Sequence, residues 1–262
     1  MSRGHRGLLI ASLSLALCAL LTVGLPAPSM SCEKCCRDDG CRNVTGTIGN
    51  MSCNGYRACE NVSGNVGVNS CNDMVVCVNI IGNIGDDSCI GDDACRDSAT
   101  IIGPGSCKAR YACYHNKAVV GMGSCNGDYA CRSNLAPSIG NNSCVVAEAC
   151  MGNSGQVGDG SCHNIKSCKD NKASIGDNSC VGLDACGRAS ASIDSLSCVG
   201  KNACTSDTAP IGRGSCNGDR ACTSNTGTIG NGSCNGRHAC CDNAKPIGDN
   251  QCNGPSSCDQ CR

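Results

Sequence analysis

The chain contains no phenylalanine and no tryptophan, and only four tyrosines in 262 residues. Without large aromatics, a wide core of the ordinary globular kind has nothing to fill it. Leucine is scarce too: after Pro26 only Leu135, Leu183 and Leu196 occur. Beyond one apolar stretch at the start there is no long hydrophobic run, which excludes a second helical membrane span. Neither sign of charge dominates, with 21 basic and 22 acidic residues; setting aside Arg3 and Arg6 leaves the acids slightly ahead, which argues against nucleic acid as a partner. The chain holds instead 31 cysteines and 35 glycines. Such a composition predicts a scaffold held by cross-links.

The single apolar stretch runs from Leu8 to Leu25 behind Arg3, His5 and Arg6, and Pro26-Ala27-Pro28-Ser29 follows it. A basic start, an apolar run and a break with small residues form a secretory signal pattern, predicted over 1–29 with cleavage near Ser29. The run is also just long enough for an uncleaved anchor, which is the alternative. Export places the cysteines in an oxidising compartment, where thiols pair and stay paired. Removing Cys18 with the leader leaves an even number.

The cysteines are regular. Cys35, Cys53, Cys71, Cys89, Cys107 and Cys125, then Cys144, Cys162, Cys180, Cys198, Cys216, Cys234 and Cys252, step by 18 with one step of 19 near Pro137-Ser138. Each is followed six residues later by another: Cys41, Cys59, Cys77, Cys95, Cys113, Cys131, Cys150, Cys168, Cys186, Cys204, Cys222, Cys240 and Cys258. A period this strict marks a stacked repeat. Aligned on the cysteines, Ile or Val stands five residues before the first Cys, then Gly, with Ser directly before that Cys, and x-Gly-x-x-Ala fills the gap to the second. A small residue recurs two places before each Ile or Val, as at Gly64, Ala118, Ala173 and Gly227. Three short straight pieces joined at Gly, Asn and Asp corners describe one coil of a parallel β-solenoid. The predicted fold class is therefore all-β, a single β-helix of about 13 coils with one Cys-x5-Cys disulfide per coil. Ile48, Val66, Ile84, Ile102, Val120, Ile139, Val157, Ile175, Ile193, Ile211, Ile229 and Ile247 form its apolar inner seam. So narrow a bore has no room for Phe or Trp, and Tyr56, Tyr111, Tyr114 and Tyr129 fall at corner or variable places.

Closing each small loop with a disulfide offsets part of the entropy of ordering a coil. Pairing inside each Cys-x5-Cys unit is the expectation; bridges between neighbouring coils, whose Cα atoms also come within reach, are the alternative. Cys32 and Cys36 at the start and Cys241 and Cys261 at the end lie off the ladder, where extra bridges would cap exposed strand edges. Cys241 with Cys261 is the clearer of these pairs. The expected organisation is a signal peptide over 1–29, an N-terminal cap and first coil over 30–47, repeats over 48–246, and a last coil with C-terminal cap over 247–262.

Signals for chemistry are few. His115, His163 and His238 occupy different places in different coils, so the repeat builds no common catalytic site, and the chain is expected not to be an enzyme. No cofactor is expected. Cys32-x-x-Cys35 and Cys258-x-x-Cys261 resemble redox or zinc pairs in spacing, but one member of each belongs to the ladder, so no metal is expected either. Calcium-binding Gly-Gly-x-Gly-x-Asp repeats are absent. Glycosylation sequons stand at Asn43, Asn50, Asn61, Asn141 and Asn231.

The bridge spacing over residues 35–258 resembles the disulfide-braced β-helical antifreeze proteins of insects, and that resemblance implies a rod presenting a Thr-x-Thr ladder to ice. Here Thr clusters only near the ends, at Thr45 and Thr47 and at Thr205, Thr208, Thr223, Thr226 and Thr228. The Ile-Gly-x-x-Ser-x step also resembles the hexapeptide of left-handed β-helix acyltransferases, though the other two hexads lack the aliphatic first residue. The function expected from the residues is a secreted structural or adhesive rod of a cell surface, wall or extracellular matrix. Its partners would be extracellular polysaccharide, another surface or another protein, with no membrane contact after leader removal. Ice binding is the alternative.

Overall fold

The computed structural model describes residues 36 and 39–258. The predicted signal peptide and Cys32, Cys35 and Cys261 lie outside them. Positions within a repeat are counted below from its first cysteine as 0, which puts the second cysteine at 6, the Ile or Val seam at 13 and the serine at 17.

The described residues contain no helix, and only two short strands are regular enough to name: β1, Val119–Val120, and β2, Ser138–Ile139, paired in parallel as Val119 with Ser138 and Val120 with Ile139. Parallel bridges carry the same pairing along the chain, from Ile48–Val66 and Val66–Ile84 through Ile211–Ile229 and Ile229–Ile247. Each of these links a seam residue to the seam residue of the next repeat, and one further parallel bridge joins Ser63 to Ile81 at position 10. The extra residue at Pro137 is absorbed without loss of register, since Val120 meets Ile139.

Strands are short because the chain turns often. Four positions per repeat, 16, 0, 4 and 8, have positive φ, as at Asn69 (54°), Cys71 (58°), Val75 (56°) and Asn79 (57°). The left-handed region costs about 1–2 kcal/mol at a non-glycine residue. The return is directional: each of these residues turns its N–H toward a neighbouring repeat. Asn69 donates to Asn50 (2.9 Å), Cys71 to Ser88 (3.2 Å), Val75 to Tyr56 (2.9 Å) and Asn79 to Glu60 (2.9 Å). At position 14 nearly every repeat has glycine, and a Cβ on Gly121 would lie 2.7 Å from the Gly140 backbone. That approach leaves no room for a side chain.

The core is narrow and built from small groups. The cysteines from Cys53 to Cys240, alanines such as Ala58, Ala112 and Ala185, and serines such as Ser52, Ser106 and Ser179 are fully buried beside the Ile and Val seam. The serines form a continuous bonded column. Each Oγ donates to a glycine-type carbonyl of the next repeat and accepts that repeat's serine N–H: Ser106 Oγ donates to Gly121 O (2.8 Å), and Ser124 N donates to Ser106 Oγ (3.1 Å). The sequence explained this serine only as a small polar group; the structure makes it a rung.

Twelve bridges follow the expected internal pairing, Cys53–Cys59 and Cys71–Cys77 through Cys234–Cys240 and Cys252–Cys258, with Cα–Cα distances of 5.5–5.8 Å. The first repeat departs from it. Cys41 bonds to Cys36 and not to Cys35, so Cys36 is not a spare capping thiol. Among the described residues, bonds from this repeat to the next begin at Gly40, whose carbonyl accepts from Cys59 (2.6 Å). Cys36 stands one residue nearer than Cys35, and the bridge closes the shorter loop. Cys241 is also disulfide-bonded.

Candidate functional site

Positions 9 to 13 alternate between buried and exposed, as at Asn171, Lys172, Ala173, Ser174 and Ile175. This is the strand period of two. Because the bridges repeat at position 13, the outward residues at 10 and 12 fall into two columns on one side. Near the start the pairs are Thr45 with Thr47 and Ser63 with Asn65; in the middle Ile81, Ile101, Val119 and Leu135 are 67, 52, 44 and 58% exposed. Toward the end stand Ser190 with Ser192, Thr208 with Pro210, and Thr226 with Thr228. None of the chain's 22 acidic residues occupies either column; the charged ones there are Lys117 and Lys172. Thr205 and Thr223 are elsewhere, at position 7, where Thr205 Oγ1 bonds to Asp184 O and Thr223 Oγ1 to Asn202 O (2.6 Å).

Charge collects on another side. Every ion pair among the described residues joins positions 4, 7 and 8, including Arg57–Glu60, Arg96–Asp93 (3.2 Å) and Lys169–Glu148 (2.9 Å). The hydrogen bond from Lys169 holds the Glu148 carboxyl below its usual range, against a smaller opposing effect of desolvation. Asp184, at position 4, is shifted upward by burial despite Arg188 and Lys166 nearby. Three of the four tyrosines gather on this side: Tyr111 stacks on Tyr129 (centroids 5.3 Å apart) and meets Tyr114 edge-on (5.5 Å). Arg96, Arg110 and Arg132 lie over these rings at 5.6–5.9 Å. The ring faces are thereby taken up within the cluster.

The three histidines remain apart. His115 lies 3.8 Å from Asp97, His163 Nε2 bonds to the Asn142 carbonyl (2.5 Å), and His238 lines a groove with Lys201, Asp219, Arg220 and Arg237. The sulfurs of Cys71, Cys77 and Cys89, and of Cys144, Cys150 and Cys162, lie within 4.8 Å of one another. All six are already in bridges, so they are not metal ligands in this state. The sequons divide into two kinds. Ser52, Ser143 and Ser233, which complete those of Asn50, Asn141 and Asn231, are buried in the serine column, whereas Thr45 and Ser63, which complete those of Asn43 and Asn61, are exposed.

A second buried column escaped the sequence reading. Position 9 runs Val62, Ile80, Ser98, Asn116, Asn134, Asn153, Asn171, Ala189, Asp207, Asn225 and Asn243, every one buried. The asparagines bond along the stack, Asn171 Nδ2 to Asn153 Oδ1 (2.9 Å) and Asn243 Nδ2 to Asn225 Oδ1 (3.0 Å). They also bond to their own turns, Asn171 Nδ2 to Ala173 O (2.7 Å) and Asn225 Nδ2 to Gly227 O (2.6 Å). Asp207 is the exception. Its Oδ1 accepts from Asn225 Nδ2 (2.8 Å), but its buried Oδ2 has no partner. Burial pushes the Asp207 carboxyl up to about 7, against the pull of the Asn225 and Ala209 hydrogen bonds. The signal that would have revealed this column is the Asn recurring two places before the small residue.

One family model, described as a domain of unknown function (DUF7640), matches the chain three times, over residues 33–122, 98–195 and 180–262. Successive matches overlap, as expected when every repeat resembles its neighbours. No curated protein and no solved structure matches. No helix among the described residues is long and apolar enough to cross a membrane.

Proposed function

The chain belongs to the DUF7640 family of domains of unknown function, and we propose from its own geometry that it is a secreted, non-catalytic β-solenoid rod that adheres to extracellular polysaccharide through the side carrying positions 10 and 12. At about 4.8 Å per repeat the stacked repeats would extend about 60 Å. The observation that carries this reading is the segregation of side chains. Positions 10 and 12 offer hydroxyls, amides and methyl groups with no carboxylate, while the ion pairs lie at positions 4, 7 and 8. A long face without carboxylates, charged only at Lys117 and Lys172, suits a long, weakly charged partner with C–H faces and hydroxyl edges. Each contact is weak, and many in a row sum through effective concentration. The many bridges suit an oxidising exterior, and the leader predicted over 1–29 supplies the route. The sequons at Asn43, Asn50, Asn61, Asn141 and Asn231 would take glycans in a eukaryotic host.

Retention of the oxidised protein on insoluble cellulose and chitin tests the proposal. Binding is expected, with S190E and T226E together lowering retention about tenfold through loss of several adjoining contacts and R220E, on the charged side, leaving it unchanged. Retention no better than that of the reduced chain, or indifferent to S190E and T226E, refutes it. Slowed ice recrystallisation without polysaccharide retention would move the reading to ice.

A further inference from the structure

At two places along the stack, neighbouring disulfides come close enough to react with one another. Cys89 Sγ lies within 4.8 Å of both sulfurs of the Cys71–Cys77 bridge, and Cys162 Sγ lies as near both sulfurs of Cys144–Cys150. All six cysteines are fully buried, and so is every bridge from Cys53–Cys59 to Cys234–Cys240. The end bridges differ: Cys36, Cys41 and Cys252 are partly exposed and Cys258 is exposed. A reductant or oxidant in solution therefore meets the ends of the column first, while the interior sulfurs have mainly one another as reaction partners.

We propose that this column supports thiol–disulfide exchange between neighbouring repeats, with Cys89 acting on Cys71–Cys77 and Cys162 on Cys144–Cys150. When the Cys162 thiol is free it gives up its proton, and the thiolate attacks Cys150 Sγ. The Cys150–Cys162 bond forms, the Cys144–Cys150 bond breaks, and Cys144 leaves as the thiolate that takes the proton. Attack on Cys144 is the equivalent step with Cys150 leaving. One disulfide and one thiol exist before and after, so no oxidant or reductant is consumed. The thiol has moved back by one repeat. At these two junctions the step moves a thiol, or a mispaired bridge, by one repeat, and the reverse step restores the original pairing.

The test leaves one thiol without its partner. The full chain carrying C168A is made under oxidising conditions, acid-quenched and mapped by mass spectrometry without reduction. The free thiol is expected on Cys144 and Cys150 as well as on Cys162, and peptides joined through Cys144–Cys162 and Cys150–Cys162 are expected with it. C95A puts the same question to Cys89 and decides it should C168A fail to fold. The double variant C162A/C168A lacks the attacking thiol and should keep Cys144–Cys150 intact. A free thiol confined to Cys162 in C168A, or to Cys89 in C95A, with the neighbouring bridge unbroken after prolonged incubation, overturns the proposal.

Discussion

Replacing Asp207 with asparagine should stabilise the protein at neutral pH while removing only one formal charge. Asp207 occupies the column in which Asn171, Asn225 and Asn243 donate an amide hydrogen to a carbonyl two residues ahead, and its Oδ2 has no hydrogen to donate. Ala189, before it in the column, offers no polar side chain, so only Asn225 bonds it along the stack. Its carboxyl titrates near 7 in the folded chain and near 3.9 when unfolded. Between those values the native state holds a proton that the unfolded state has lost, so stability is fully present below about pH 4 and declines as pH rises toward 7. At about 1.4 kcal/mol per unit, a gap of about three units amounts to about 4 kcal/mol. D207N restores the missing donor and removes this slope. The assay is denaturant unfolding with bridges intact at pH 5 and pH 8, read by far-UV circular dichroism, together with amide exchange at Ala209 and Asn225, because stacked repeats open locally. The wild type should be less stable at pH 8 than at pH 5 and D207N should not. Equal wild-type stability at the two pH values, or a D207N chain no more stable than wild type at pH 8, refutes the reasoning.

Other substitutions test the remaining columns. S106A removes the donor to Gly121 O and the acceptor of Ser124 N–H, leaves two buried groups unpaired, and should cost about 2–4 kcal/mol in denaturant unfolding. I102A empties a seam position that is 1% exposed and should cost about 3 kcal/mol, whereas its neighbour I101A, 52% exposed at position 12, should stay within about 0.5 kcal/mol of wild type. In a eukaryotic secretory host, glycan occupancy measured by mass spectrometry should be higher at Asn43 and Asn61 than at Asn50, Asn141 and Asn231. The hydroxyls completing the latter three sequons become buried as the repeats stack.

What could be read from the residues alone was whatever the repeat holds constant. Cysteine, Ile or Val, and the serine recur in fixed places, so the bridges and the seam were predictable from spacing. The serine's bonding was not, because a small polar residue before a turn has several uses and only stacking shows its oxygen between two repeats. Position 9 went unseen for the opposite reason: its burial is constant while its chemistry drifts from Val62 and Ile80 through Asn116 to Asn171 and then to Ala189 and Asp207. The pairing of Cys36 with Cys41 was missed because Cys35 and Cys36 are adjacent and the repeat spacing favours the one that keeps the six-residue step. The shared outward side of positions 10 and 12 likewise emerged only from the stacking register.

Position 9 also locates a joint of the stack that weakens with pH. At Asn153–Asn171 and Asn225–Asn243 the step along the column carries an amide bond, and Asn134 reaches the next repeat through the Cys150 carbonyl. Where two aliphatics adjoin, as at Val62 and Ile80, packing serves instead. Between Ala189 and Asp207 neither applies, since a methyl group faces a carboxyl with an unpaired oxygen. The backbone bond from Ser190 N to Asp207 O (2.9 Å) and the serine and cysteine columns still cross this joint. Opening is expected to begin there above pH 7, when Asp207 is ionised. The Ser190 and Asp207 amides should then exchange with solvent sooner than their counterparts at Ser154 and Asn171, and A189N together with D207N should abolish the difference.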